Sequence, residues 1–241
     1  MIIEGKNAVT EALKGGATPE KLYVQKGAGE GVIRNIIGLA KERGLKVTFV
    51  DKTVLERLSP SGRHQGVMLF QTEFAYSEVE DILNAAKEKN EPPFILLLDG
   101  LSDPHNLGSI IRTAECAGVH GIIIPKHRSV TVNDTVIKCS AGAASHVKIA
   151  KVVNINDSIR MLKQQNIYVY AADMDGKVMY SANLTGATAL VIGSEGEGVK
   201  RLTKELCDGV ISIPMAGKIN SLNASVAAAV IMYERVRQVI K

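Results

Sequence analysis

The chain has 241 residues, of which 46% are hydrophobic and 22% charged, with a net charge of +4. That length holds one large domain or two small ones, and that apolar content supports a packed core and argues against disorder. No apolar run approaches the roughly 18 residues of a membrane span, so no membrane partner is expected.

Hydrophobic periodicity lays out the first block as alternating strands and helices. Leu22, Tyr23 and Val24 read as a strand, and Val32, Ile33, Ile36, Ile37 and Ala40 as one helical face. A strand over 47–50, a short helix on Val54, Leu55 and Leu58, and a strand over 66–70 follow. Residues 1–72 thus form a small α/β domain, near the low end of domain sizes. A helix over 77–90, with Val79, Ile82, Leu83 and Ala86 on one face, runs into Pro92 and Pro93, which end it. Residues 73–92 read as an acidic helical linker able to dock on the domain that follows, residues 93–241.

From Pro93 onward, strands are expected over 94–98, 121–124, 146–149, 167–171, 189–192 and 210–213. Helices are expected over 107–117, 134–144, 156–165, 200–207 and 221–240. Repeated βα units with continuous apolar strands predict a mostly parallel sheet with helices on both faces. The fold class is α/β: this larger sheet domain plus the small N-terminal one. Ligands in such sheets sit beyond the carboxyl ends of the strands.

Charge is unevenly placed, at +4 over 1–72, −4 over 73–92 and +4 over 93–241. Two mildly basic blocks suit an anionic partner such as RNA. Four Phe, six Tyr and no Trp weigh against a base-stacking platform. Cys116, Cys139 and Cys207 are odd in number and far apart, which reads as reduced and cytoplasmic. The start, Met1-Ile2-Ile3-Glu4-Gly5, lacks the basic and apolar regions of a signal peptide. His64, His105, His120, His127 and His146 show no metal-binding spacing, so no metal is expected.

Three loops fall at the carboxyl ends of predicted strands. In the first, Asp99 closes a strand, Asn106 is placed to cap the next helix, and Arg112 lies one turn past Gly108. Helical side chains lean over the residue four back, so Gly108 leaves the guanidinium a path to the helix start, a seat for a phosphate. Surface pairing of Arg112 with Asp103 or Glu115 fits the spacing equally well. The second loop, Gly193-Ser194-Glu195-Gly196-Glu197-Gly198, matches neither a dinucleotide fingerprint nor a Walker loop. Its glutamates favour a cationic or neutral ligand, although a plain glycine-rich turn satisfies the same spacing. In the third, a strand stops at Pro214, and Ser221 and Asn223 precede a helix with Ala224, Ala227 and Ala228 on one face. That small-residue stripe predicts close approach of another piece of backbone. Ser221 and Asn223 suit helix capping or a polar ligand.

Together these loops resemble the SpoU (TrmH-type) family of knotted RNA methyltransferases. The family pattern D-P-x-N-L-G-x-I-x-R-T-A falls on 103–114, G-S-E-G-x-G on 193–198, and I-P-M-x-G-x-x-x-S-L-N-x-S-x-A on 213–227. The N-terminal block is similar to the family's RNA-recognition domain, although Asn7 stands where relatives often carry His. The resemblance implies a deep C-terminal trefoil knot and a homodimer with its active site near the subunit interface. It implies S-adenosylmethionine bent in the knot, held largely by the backbone of Gly193, Ile213 and Leu222, with Ser194, Met215 and Ala171 beside them. It assigns Arg112 the central catalytic role, supported by Asn106, Glu195, Ser221 and Asn223. The implied reaction is metal-free methyl transfer to a ribose 2′-hydroxyl of RNA. Relatives acting on tRNA usually lack the N-terminal domain, which points to a guanosine in the P-loop of 23S rRNA, in the rRNA itself or a large-subunit precursor. The alternatives are a tRNA enzyme, a thiostrepton-resistance-type rRNA enzyme, and an inactive RNA-binding assembly factor of the same fold.

Overall fold

In the computed structural model, which describes residues 2–14, 19–28, 31–71, 74–194, 196–218 and 221–240, these periodicities resolve into two units. One holds Met1–Ala75 with Val132–Asp134, the other Tyr76–Thr131 with Thr135–Lys241.

The first unit is built from β1 (Ile2–Glu4), α1 (Lys6–Lys14), β2 (Pro19–Gln25), α2 (Val32–Glu42), β3 (Lys46–Val50), α3 (Lys52–Leu58) and β4 (Val67–Gln71). Its sheet runs β1-β4-β2-β3, with β2 and β3 parallel and β4 antiparallel to both its neighbours. Alternation turns Leu22, Val24, Val67 and Leu69 to one face, where Val9 and Leu13 of α1 and Ile33, Ile36 and Ala40 of α2 cover them. Neither β1 nor α1 follows from the periodicity of the chain. A three-residue strand is too short to show alternation, and β1 exists because β4 pairs with it.

The second unit adds α4 (Val79–Glu88), β5 (Phe94–Asp99), α5 (Pro104–Cys116), β6 (Gly121–Pro125), α6 (Asp134–Cys139), β7 (Lys148–Val152), α7 (Ile155–Gln164), β8 (Tyr168–Val178), β9 (Thr188–Gly193), α8 (Arg201–Leu206), β10 (Gly209–Ser212) and α9 (Ala224–Val239). Six strands lie in the order β10-β8-β9-β5-β6-β7, and every neighbouring pair is parallel. Every residue of β5, β6 and β9 is buried, which is why they read as unbroken apolar runs. Val79 and Ile82 of α4 and Ile155, Ile159 and Leu162 of α7 pack on one face of this sheet, while α5 and α9 pack together. The acidic helix α4 is seated directly on the sheet, with Ile82 filling the space that a side chain on Gly121 would need. The far end of α9 is tied down by Glu234, which accepts from Arg237 and Gln238, while Gln238 also bonds the backbone of Ala182 and Leu184.

Three elements depart from the periodicity. The helix expected over 134–144 stops at Cys139, because Ala141 and Gly142 take positive φ (50° and 90°); the strand expected over 146–149 begins two residues later, at Lys148. The strand expected to end at 171 continues as β8 to Val178 through the polar run Asp173-Met174-Asp175. Among the described residues its extension is paired by β10 alone, whose register jumps from Val210 opposite Ala171 to Ile211 opposite Lys177.

Candidate active site

At the carboxyl ends of β9 and β10, beside the middle of β8, lies a cavity of about 820 Å³, within the range of small-molecule sites. Its apolar lining comes from Ile192, Ile211, Ile213, Met215, Leu222 and Ile231. Its polar lining comes from Asp173, Ser194, Glu197, Lys204 and Ser221 together with the glycine loop.

The glycine loop is shaped at Gly193, the last residue of β9. A Cβ there would sit 2.0 Å from the carbonyl carbon of Gly198 and 2.3 Å from the amide nitrogen of Val199, so only glycine lets the chain fold back this closely. Ser194 and Gly198 exchange two backbone hydrogen bonds, of 3.1 and 3.0 Å, and the Glu197 N–H donates to Ser194 Oγ at 3.4 Å. Beyond the loop the chain is anchored to β5. Asp99, 4% exposed, accepts from Lys200 Nζ at 2.7 Å, from the Lys200 N–H at 3.4 Å and from Thr203 Oγ1 at 3.1 Å.

The third loop supplies Ile213, Met215, Ser221 and Leu222 to the cavity. The alanine stripe of α9 divides its work. Ala228 is fully buried in the packing, whereas Ala224 and Ala227 line the cavity and their small size leaves it open. Asn223 caps α9, its Oδ1 accepting from the N–H groups of Ser225 and Val226 at 2.9 and 3.4 Å. Its Nδ2 donates to Asn106 Oδ1 at 3.0 Å, so one amide ties the first turn of α5 to the start of α9.

Two expectations for the first loop are corrected. Asp103, not Asn106, caps α5, accepting from the His105 N–H at 2.9 Å with Pro104 at the first helical position. Asn106 lies inside the helix, 5% exposed, where it meets Asn223. Gly108 leaves no path for Arg112, because Cys139 of α6 fills that space and would lie 2.4 Å from an added Cβ. Arg112 itself is exposed, pairs with neither Asp103 nor Glu115 among the described residues, and does not line the cavity.

Of the residues marked in the sequence, the fold gathers Gly193, Ser194, Ile213, Met215, Ser221 and Leu222 around one cavity, with Asn106 and Asn223 bonded to each other. Ala171 is fully buried in β8, and the cavity wall starts at the next residue, Ala172. Glu195 lies outside the described residues. Asp173 and Lys204 were missed. The available signal was an acid placed just past the apolar run of a strand, where parallel sheets hold ligands.

Lys204 Nζ lies 3.2 Å from Asp173 and 3.1 Å from Asp175. Its bonds to Asp175 and Asp173 hold the ammonium above the usual lysine range, and the bond to Lys204 holds the Asp175 carboxyl below its own. Lys204 therefore stays a cation and is no general base. Burial pushes the Cys207 thiol up to about 12, which removes it as a nucleophile at neutral pH. Among the described lining residues two carboxylates, Asp173 and Glu197, face one ammonium. A lining that combines aliphatic side chains with two carboxylates suits a ligand with an apolar planar end and a cationic centre.

A family model described as "SpoU rRNA Methylase family" matches residues 93–233, and one described as "RNA 2'-O ribose methyltransferase substrate binding" matches 2–77. YacO of Bacillus subtilis, named for the TrmH family of tRNA/rRNA methyltransferases, is 45% identical over 97% of this chain and 94% of its own length. A Staphylococcus haemolyticus protein named for the same family is 43% identical over 99% of this chain and 96% of its own length. The crystal structure of the SpoU methyltransferase AviRb from Streptomyces viridochromogenes, in complex with AdoMet, shares the fold, with a TM-score of 0.62 at 24% identity over 99% of this chain and 90% of that one. With one family model spanning more than half of its length and a relative 45% identical along nearly all of it, this chain belongs to the SpoU rRNA methylase family.

Proposed function

We propose that the protein transfers a methyl group from S-adenosylmethionine to a ribose 2′-hydroxyl of large-subunit ribosomal RNA, a guanosine in the P-loop of 23S rRNA being the target, and that it works in the cytoplasm. The observation that carries this reading is the cavity of about 820 Å³ assembled from the glycine loop, residues 213–215 and residues 221–222. Its aliphatic lining residues fit an adenine ring, and its surplus of carboxylates fits a sulfonium. When bound, S-adenosylmethionine supplies an electrophilic methyl group for in-line displacement.

The chain's own residues then have to align the acceptor and help remove a poorly acidic proton. Arg112 carries a guanidinium, a group that does not serve as a free base in proteins. Its planar fork grips a phosphate of the target nucleotide, places the 2′-hydroxyl and assists its deprotonation through that phosphate. The Asn106–Asn223 amide pair positions Arg112 by fixing α5 against the start of α9, while Ser221 and Glu195 order the pocket. Residues 1–72 bind the RNA, residues 73–92 join them to the catalytic domain of 93–241, and the final pass of that domain forms a trefoil knot.

A homodimer completes the reading. Val226 and Tyr233 stand seven residues apart on α9 and are 47% and 49% exposed, with Ile240 just past the helix end 69% exposed, an apolar surface that a second copy covers. A Tyr233→Asp protein is expected to sediment as a folded monomer where the parent sediments as a dimer. A charged variant that stays dimeric would place the interface elsewhere.

Mapping of ribose methylation by mass spectrometry in a strain lacking the gene tests the substrate. The expected result is loss of a single 2′-O-methylguanosine from 23S rRNA, restored by the purified protein with S-adenosylmethionine. Loss from tRNA instead would replace the ribosomal target with a tRNA one. No binding of S-adenosylmethionine at millimolar concentration would favour an assembly factor.

A further inference from the structure

Two charged side chains in the cavity wall, Asp173 and Lys204, belong to none of the three motifs. Asp173 follows Ala172, which pairs with Ile192, so it lies level with Gly193 on the neighbouring strand. Its Oδ2 is also 3.1 Å from where a Cβ on Gly198 would stand. The carboxylate therefore borders both ends of the glycine loop, at 12% side-chain exposure.

Lys204 holds it there. The ammonium sits between Asp173, which lines the cavity, and Asp175, which is 63% exposed and does not. Asp175 grips the lysine from outside and the lysine fixes Asp173 from inside. A carboxylate offers about four lone-pair sites, so Asp173 keeps acceptor capacity for the cavity after its bond to Lys204.

The chemistry of the pair narrows what Asp173 reads. A cationic group would compete with an ammonium already in place. A vicinal diol brings two O–H donors and leaves the ion pair intact, and hydroxyl-to-carboxylate bonds are of the strong charge-assisted kind. An acid near a glycine-rich strand–loop junction is also how dinucleotide sites hold a ribose hydroxyl. We propose that Asp173, positioned by Lys204, accepts hydrogen bonds from the ribose hydroxyls of the methyl donor and so selects a ribonucleoside; this rests on the cavity being the S-adenosylmethionine site.

Calorimetry with three ligands tests it: S-adenosylhomocysteine, 5′-methylthioadenosine, which lacks the amino-acid end, and 2′,3′-dideoxy-5′-methylthioadenosine. The parent protein is expected to prefer methylthioadenosine over its dideoxy form by at least about tenfold, the size of one hydrogen bond to a charged group. Asp173→Asn should shrink that preference to within about twofold and weaken methylthioadenosine and S-adenosylhomocysteine alike. Asp175→Asn should keep the preference. If the asparagine variant does not fold, Asp173→Glu retains the charge but advances the carboxylate by a methylene, and should also lose the preference. An undiminished preference in a folded Asp173 variant overturns the proposal. So does a loss confined to S-adenosylhomocysteine, which would assign the carboxylate to the amino group. If the parent binds neither S-adenosylhomocysteine nor methylthioadenosine, the donor-site reading falls and this proposal with it; in the other failures only this proposal falls.

Discussion

A Gly193→Ala protein is expected to bind S-adenosylhomocysteine about 100-fold more weakly than the parent while remaining folded. The added carbon would meet the carbonyl carbon and oxygen of Gly198 and the amide nitrogen of Val199 at 2.0, 2.2 and 2.3 Å. All three are backbone atoms, so no rotamer change relieves the clash. The loop must open and break the paired hydrogen bonds between Ser194 and Gly198. Two net hydrogen bonds at about 1 kcal/mol each, with about 1 kcal/mol of overpacking, come to the loss that corresponds to roughly 100-fold in affinity. Because Ser194, Gly196 and Gly198 line the cavity, the displacement falls on binding. Gly186→Ala is the control, since nothing lies within 4 Å of its added carbon. Calorimetry alongside a thermal melt separates the two variants, and an affinity within threefold of the parent at Gly193→Ala would refute this account of the loop.

The second large effect is expected at Arg112. Arg112→Lys should lower single-turnover methylation by about 100-fold or more, the scale seen when one preorganised charge-stabilising donor is removed, with donor affinity unchanged. Lysine keeps the charge but not the planar, bidentate fork that grips a phosphate. Donor affinity should hold because Arg112 does not line the cavity proposed to bind the donor. Single-turnover kinetics on RNA, paired with calorimetry on the donor analogue, read the two quantities separately. Unchanged turnover in the lysine enzyme would remove the phosphate grip, and a matching loss of donor affinity would move Arg112 into the donor pocket.

Much of the fold was legible from the chain because its central strands are buried on both faces. β5, β6 and β9 must be continuously apolar, and that pattern needs no knowledge of neighbours. The glycine loop was legible for a related reason, since a cluster of glycines after a strand marks backbone brought close to something. What that something is did not follow. At Gly108 it is Cys139, at Gly121 it is Ile82, and at Gly193 it is the chain's own return through Gly198 and Val199. Asn106 shows the same limit. An asparagine near a helix start is ordinarily a cap, yet Asp103 takes that role and leaves Asn106 to a partner 117 residues away.

The sequence by itself therefore determined the order of the elements after α1, the strand ends where a ligand is expected and the residues that belong to the family motifs. Each of these depends on composition and spacing within a short window. Only the tertiary structure decided that β10 extends β8 past its apolar run, that Ala224 and Ala227 keep a cavity open, and that Lys204 of α8 aims a carboxylate of β8 beside the glycine loop. Those outcomes depend on which distant segment occupies a given volume, and volume is shared between segments that no local pattern connects.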